Sequence, residues 1–165
     1  MKKIQFCFIF LIFVFISCET SPFKVQTVFE NYDEFCTNMK NWIEPKNYSF
    51  TYNYSFGDSV VLAPITVTIS DDVATVDYGE NVQTELENYT FKSITEIYEH
   101  FDKRYEYETE NNTNYEINYS VKYESTEKYG NYPKLLNENM VDVEHYDWDG
   151  YGGTYIKISD FKINE

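Results

Sequence analysis

Positive charge is scarce in this chain: 13 Lys and Arg face 28 Asp and Glu, for a net charge of −15. That balance argues against nucleic acid as a partner, because such binding depends on basic side chains neutralising phosphates. It argues equally against electrostatic adhesion to anionic lipid. Cysteine is limited to Cys7, Cys18 and Cys36. These are too few for the disulfide framework on which many small secreted domains rely. Alanine is reduced to Ala63 and Ala74. No zinc spacing, phosphate-cradling glycine loop or nucleophile elbow occurs, so neither a catalytic site nor a cofactor is expected. The two histidines, His100 and His145, stand apart from any such pattern.

What the chain does have begins at its N-terminus. Met1-Lys2-Lys3 is a short positive segment, and residues 4–16 are apolar except for Gln5 and Cys7. This is the layout of a secretory signal, and the run is shorter than the roughly 20 residues that cross a bilayer. Phe15-Ile16-Ser17-Cys18 resembles the bacterial lipobox, whose cysteine takes a diacylglyceryl group and becomes the first mature residue. Ser17 is the small residue before the cut, and Phe15 stands where Leu is commoner. The rival reading is ordinary secretion with an incidental cysteine. The expected organisation is a signal peptide over residues 1–17, a lipidated tether over 18–24 and a single domain over 25–165. Each buried CH₂ contributes roughly 0.8 kcal/mol, so several acyl chains on Cys18 hold a small domain on a membrane. Loss of residues 1–17 removes Lys2 and Lys3 and leaves a net charge of −17. The implied address is the extracytoplasmic side of a bacterial envelope, periplasmic or at the cell surface.

Periodicity then predicts the fold. Val25, Val28, Phe29, Tyr32, Phe35, Cys36, Met39 and Trp42 recur mostly every three or four positions, which predicts one helix ending before Pro45. On that stripe Cys36 is read as a packing residue, against the alternatives of a nucleophile or a dimerising thiol. Tyr48, Phe50, Tyr52, Tyr54 and Phe56 alternate with polar residues, a strand with an aromatic face. Ile65, Val67 and Ile69 alternate likewise, and Asp71-Asp72 predicts a hairpin returning over residues 73–78. Ser93-Ile94-Thr95-Glu96 is a capping box opening a second helix with Ile94, Ile97, Tyr98, Phe101 and Tyr105 on one stripe. Residues 108–114 are a polar run. Tyr115, Ile117, Tyr119, Val121 and Tyr123 form another alternating strand, Gly130 and Pro133 a turn, residues 142–153 an acidic loop and residues 154–163 a last strand.

The class is α+β: an antiparallel β-sheet with two helices packed on it. Asn47-Tyr48-Ser49-Phe50-Thr51-Tyr52 lines up with Asn114-Tyr115-Glu116-Ile117-Asn118-Tyr119, which suggests a duplicated helix-plus-three-strand unit. Chance is the rival, because aromatics are 19% of the chain and tyrosine is the commonest of them.

Trp42, Tyr48-Ser49-Phe50-Thr51-Tyr52 and Val67-Thr68-Ile69 with Val73 resemble a family of bacterial exported proteins, the domain-of-unknown-function family 6174. The resemblance continues through Phe91, Ile94, Ile97, the strand over residues 119–123, Tyr129-Gly130-Asn131-Tyr132-Pro133 and Asp160-Phe161. Many members carry cysteines after the first strand, where Tyr54-Ser55-Phe56 has none. The resemblance implies an exported address and this fold, and it brings no catalytic residue.

Two candidate sites remain. The tyrosine faces of residues 48–56 and 115–123 offer either a small-ligand groove or the core beneath the helices, and the regular alternation favours core. Asp142, Glu144, His145, Asp147 and Asp149 cluster ahead of Gly150 and superficially resemble the start of a calcium loop. The first position lacks a carboxylate and Ile156 stands where a bidentate Glu should close the site, so no specific metal site is expected. The best reading is a non-enzymatic, lipid-anchored structural or interaction module of the cell envelope, with an unidentified envelope protein or small ligand as partner. The second reading is a small-ligand or cation-binding lipoprotein.

Overall fold

A computed structural model describes residues 26–56, 60–80, 90–111, 115–142 and 151–164. Ten elements follow one another: β1 (Thr27–Phe29), α1 (Tyr32–Asn41), β2 (Tyr48–Phe56), β3 (Val60–Val61), β4 (Ile65–Ser70), β5 (Val73–Asp77), α2 (Ile94–Asn111), β6 (Tyr115–Thr126), β7 (Gly130–Asp142) and β8 (Tyr151–Ile163). The strands form one sheet in the order β1-β6-β7-β8-β2-β4-β5, with β3 on β2. Every pairing is antiparallel except β1 with β6. This is the α+β class read from the periodicity. A helix and then a three-strand meander occur twice, an order that does not by itself establish a duplicated unit.

The first predicted helix is shorter than its apolar stripe. Thr27, Val28 and Phe29 form a strand, and Asn31 takes the left-handed conformation (φ 59°) before α1 begins. Spacings of three and four do not exclude a strand this short. Its β-branched and aromatic residues gain partners on β6, where Phe29 stacks on Tyr119 with centroids 5.5 Å apart. α1 ends before Pro45: Trp42 is already extended, at ψ 128°.

The second helix starts with the Ser93 half of the capping box formed, while the Glu96 carboxylate reaches one residue further back, to Lys92. Ser93 Oγ accepts the Glu96 N–H at 3.0 Å, and the Glu96 carboxylate accepts the Lys92 N–H at 2.6 Å. It ends later than expected. Residues 108–111, the start of the polar run, stay helical because Glu is a good helix former. Thr109 and Asn111 also donate back to the carbonyls of Tyr105 and Tyr107, each at 2.8 Å.

Two glycine positions are likewise corrected. Gly130 and Pro133 do not form a turn; they lie in β7, which runs through Pro133 where its register with β6 shifts. Proline is tolerated at such an irregularity because no ladder bond is demanded of it there. Gly130 sits at φ 87°, and a Cβ there would lie 2.8 Å from the Asn41 carbonyl oxygen. Gly153, read as loop, belongs to β8, where a Cβ would come within 2.1 Å of the Glu138 carbonyl oxygen. Asp71 (φ 49°) and Asp72 (φ 66°) make the expected β4–β5 hairpin turn.

The core lies on one face of the sheet. Tyr48, Phe50, Tyr52, Ile65, Val67, Ile117, Leu136 and Ile156 have no exposed surface, and the helices close over them with Phe35, Ile94, Ile97, Tyr98 and Phe101. The β2 tyrosine face is therefore core rather than groove. It is covered by the approach to α2 and not by the first helix: the hydroxyls of Tyr48 and Tyr52 accept the N–H groups of Ile94 (3.2 Å) and Phe91 (3.1 Å). On β6, Tyr119 is core, whereas Tyr115 at the strand end is 38% exposed. Pairing of β7 with β8 stops at Leu135–Lys157, and beyond it the rings of Trp42, Tyr132 and Phe161 pack together, Tyr132 on Phe161 at 4.3 Å.

Candidate interaction surface

Cys18 and four of the acidic-loop candidates, Glu144, His145, Asp147 and Asp149, lie outside the described residues; Asp142 is the last residue of β7. Among the described residues, no three His, Cys, Asp or Glu side chains are grouped to hold a metal ion. Cys36 is a free thiol half-buried against the core. No helix among them is long and apolar enough to cross a membrane.

Two polar nodes hold the fold together, while His100 Nε2 and Thr154 Oγ1 are buried without a hydrogen-bond partner among the described residues. The Glu44 carboxylate accepts the Thr95 N–H at 2.9 Å, the Trp42 Nε1–H at 2.9 Å and the Ile94 N–H at 3.3 Å, with the hydroxyls of Tyr48 and Thr95 donating to it as well. A carboxylate at a helix N-terminus satisfies orphan N–H groups and complements the helix dipole. Glu44 also lines a cleft of about 520 Å³ beside the β4–β5 hairpin, together with Lys92 and Glu96. Its polar lining is largely spent, because Glu44 and Glu96 both serve the α2 terminus.

A second node joins α2 to the sheet. Arg104 Nε donates to Glu138 at 2.8 Å, and the Tyr119 hydroxyl donates to the same carboxylate at 3.3 Å. Burial pulls the Arg104 guanidinium down, but Glu138 outweighs it and holds the group above its ordinary value. Burial raises the phenols: Tyr52, Tyr123 and Tyr132 are pushed to about 12, and Tyr32, Tyr98 and Tyr119 higher still. None is set up to exchange a proton near neutral pH.

Among the described residues, no helix covers the other face of the sheet. Its side chains come from the alternate positions, and the registers place them in rows. One row runs Ser120–Asn137–Tyr155–Ser55 across β6, β7, β8 and β2. The next runs Lys122–Leu135–Lys157–Asn53, and a third brings Asn118 to Asn139. Thr51 and Thr66 bond hydroxyl to hydroxyl at 3.0 Å between β2 and β4. Lys162 lies opposite Ser49. Lys122, Lys157 and Lys162 are exposed, and none forms an ion pair among the described residues.

Among the described residues, carboxylates are missing from the middle of this face. Glu116 and Glu124 bound it along β6, and Glu124 is tied to Lys134, which lowers its pKa. The helical side has the opposite character: α2 alone carries Glu96, Glu99, Asp102, Glu106, Glu108 and Glu110 against Lys103 and Arg104. Period-two alternation marked these outward positions as polar, but their grouping depends on strand order and register. The neutral-to-basic patch is invisible until β6, β7, β8 and β2 are laid side by side. No protein-family model, curated protein or solved structure matches this chain.

Proposed function

We propose that this chain is a membrane-anchored extracytoplasmic lipoprotein whose domain is a non-enzymatic interaction module of the bacterial cell envelope. Acyl chains on Cys18 hold it, and the uncovered face of the sheet meets its partner. The resemblance to the exported domain-of-unknown-function family 6174 belongs to the same reading. The observation that carries it is the segregation of charge. In a chain of net charge −15, the described outward positions between Glu116 and Glu124 hold lysines, amides and hydroxyls around Leu135 and no carboxylate. Complementary charge steers encounter and suppresses wrong partners more than it sets affinity. Within the interior, the Glu44 carboxylate caps α2 and the Glu138 carboxylate binds Arg104 and Tyr119, so both serve the fold.

A diazirine-bearing residue placed at Asn137 and, separately, at Glu99 tests this in living cells. Light should attach an envelope component through Asn137 on the sheet face and none through Glu99 on α2. Equal yields, or adducts from Glu99 alone, would show that the sheet face is not the interface.

A further inference from the structure

We propose that the open sheet face docks an extended polysaccharide bearing acetamido and carboxylate groups, laid across β6, β7, β8 and β2. This rests on the interaction reading above and names the class of partner. The side chains of the face make the choice between a glycan and a protein. Cores of protein–protein interfaces are enriched in aromatics, Met and Arg and depleted in Lys and Ser. The outward rows have the reverse composition. Asn53, Asn118, Asn137 and Asn139 stand with Ser55 and Ser120, and Tyr155 is the aromatic residue among them.

Those groups suit a sugar polymer. Each Asn amide offers both donors and an acceptor, and each hydroxyl does the same, which matches the mixed donor and acceptor capacity of sugar hydroxyls and acetamido groups. Tyr155 lies mid-row between Asn137 and Ser55, half-buried, and presents a flat body with a polar tip against which a sugar ring can rest.

Lys122 and Lys157 flank Leu135 in the adjacent row, two strand spacings or about 10 Å apart. They are the cations that carboxylates along the polymer would meet, whereas the acidic α2 side repels the same polymer and leaves one face for it. The groups are fixed on paired strands, so little ordering is needed on binding. A second copy of the chain is a poor occupant, because two such faces would set lysine against lysine.

Cosedimentation of the full-length lipidated protein in detergent micelles with three insoluble polymers tests the proposal. Peptidoglycan carries acetamido and carboxylate groups, chitin acetamido groups alone and cellulose neither. The protein should pellet best with peptidoglycan, less with chitin and least with cellulose, and high salt should weaken the first most. Lys122→Gln with Lys157→Gln, and Tyr155→Ala separately, should each weaken peptidoglycan binding about tenfold, equal to 1.4 kcal/mol, with the melting of the double lysine variant unchanged. Glu99→Gln should bind as wild type. Absence of pelleting with every polymer, or wild-type pelleting by the double lysine variant, would overturn the proposal. The Asn137 cross-link separates the two levels. A protease-sensitive adduct without polymer binding overturns the glycan and keeps the interface; no adduct and no pelleting overturn both.

Discussion

The carboxylate of Glu44 accepts the backbone N–H of Thr95 at 2.9 Å across 51 residues of chain, so the loop after α1 caps the helix α2. Because the same group also takes the Trp42 indole N–H and the Tyr48 hydroxyl, it ties both helices to β2. Glu44→Ala should cost about 2–3 kcal/mol in urea denaturation, combining a lost cap with lost charge-assisted bonds. Wild-type stability in that variant would mean that Ser93 caps α2 unaided.

The Arg104–Glu138 pair predicts an asymmetry. Glu138 has no exposed side-chain surface, while Arg104 is 29% exposed. Arg104→Met strands a buried carboxylate and should cost about 3–5 kcal/mol. Glu138→Leu leaves an arginine that can turn outward, and it should cost less. The double variant should lose clearly less than the sum of the two, which a double-mutant cycle measures.

Trp42 is 8% exposed and packs edge-on to Tyr132 and Phe161 where β7 and β8 part. Trp42→Ala should cost about 3–5 kcal/mol and broaden or abolish the cooperative melt. A melt indistinguishable from wild type would mean that this aromatic cluster does not close the gap between the strands.

The sequence made the class, the β2 face, the β4–β5 hairpin and the α2 capping box legible, because each is written in local period or local capping chemistry. It misplaced what depends on distant partners. Thr27, Val28 and Phe29 become a strand only because β6 lies alongside, and Pro133 is tolerated only at a register shift. Glu44 carries no local mark of its role, since nothing near it in the sequence shows that a helix N-terminus fifty residues on needs its oxygens. The lysine-bearing face was hidden for the same reason: Lys122 and Lys157 are brought into one row only through β7.

His100 gives a pH dependence. It lies on α2 against Phe91 and Phe101, with Nε2 buried and without a hydrogen-bond partner. Burial, then the neighbouring Arg104 and Lys103, lowers its pKa below the ordinary 6.5. The unfolded chain therefore binds a proton that the folded chain resists. This contribution is fully present above 6.5 and is lost as the pH falls toward the depressed folded value. Urea melts at neutral and mildly acidic pH should show wild type losing stability that His100→Gln retains. Equal losses in both proteins would show that His100 does not carry the effect.

Anchoring through Cys18 is the centre of the account, and Cys18→Ala tests it most directly because only the thiol accepts the diacylglyceryl group. In detergent phase partitioning of membranes from expressing cells, wild type should enter the detergent phase and the variant the aqueous phase. A Cys18→Ala protein that still partitions with detergent would contradict the account, because some other segment would then be the anchor.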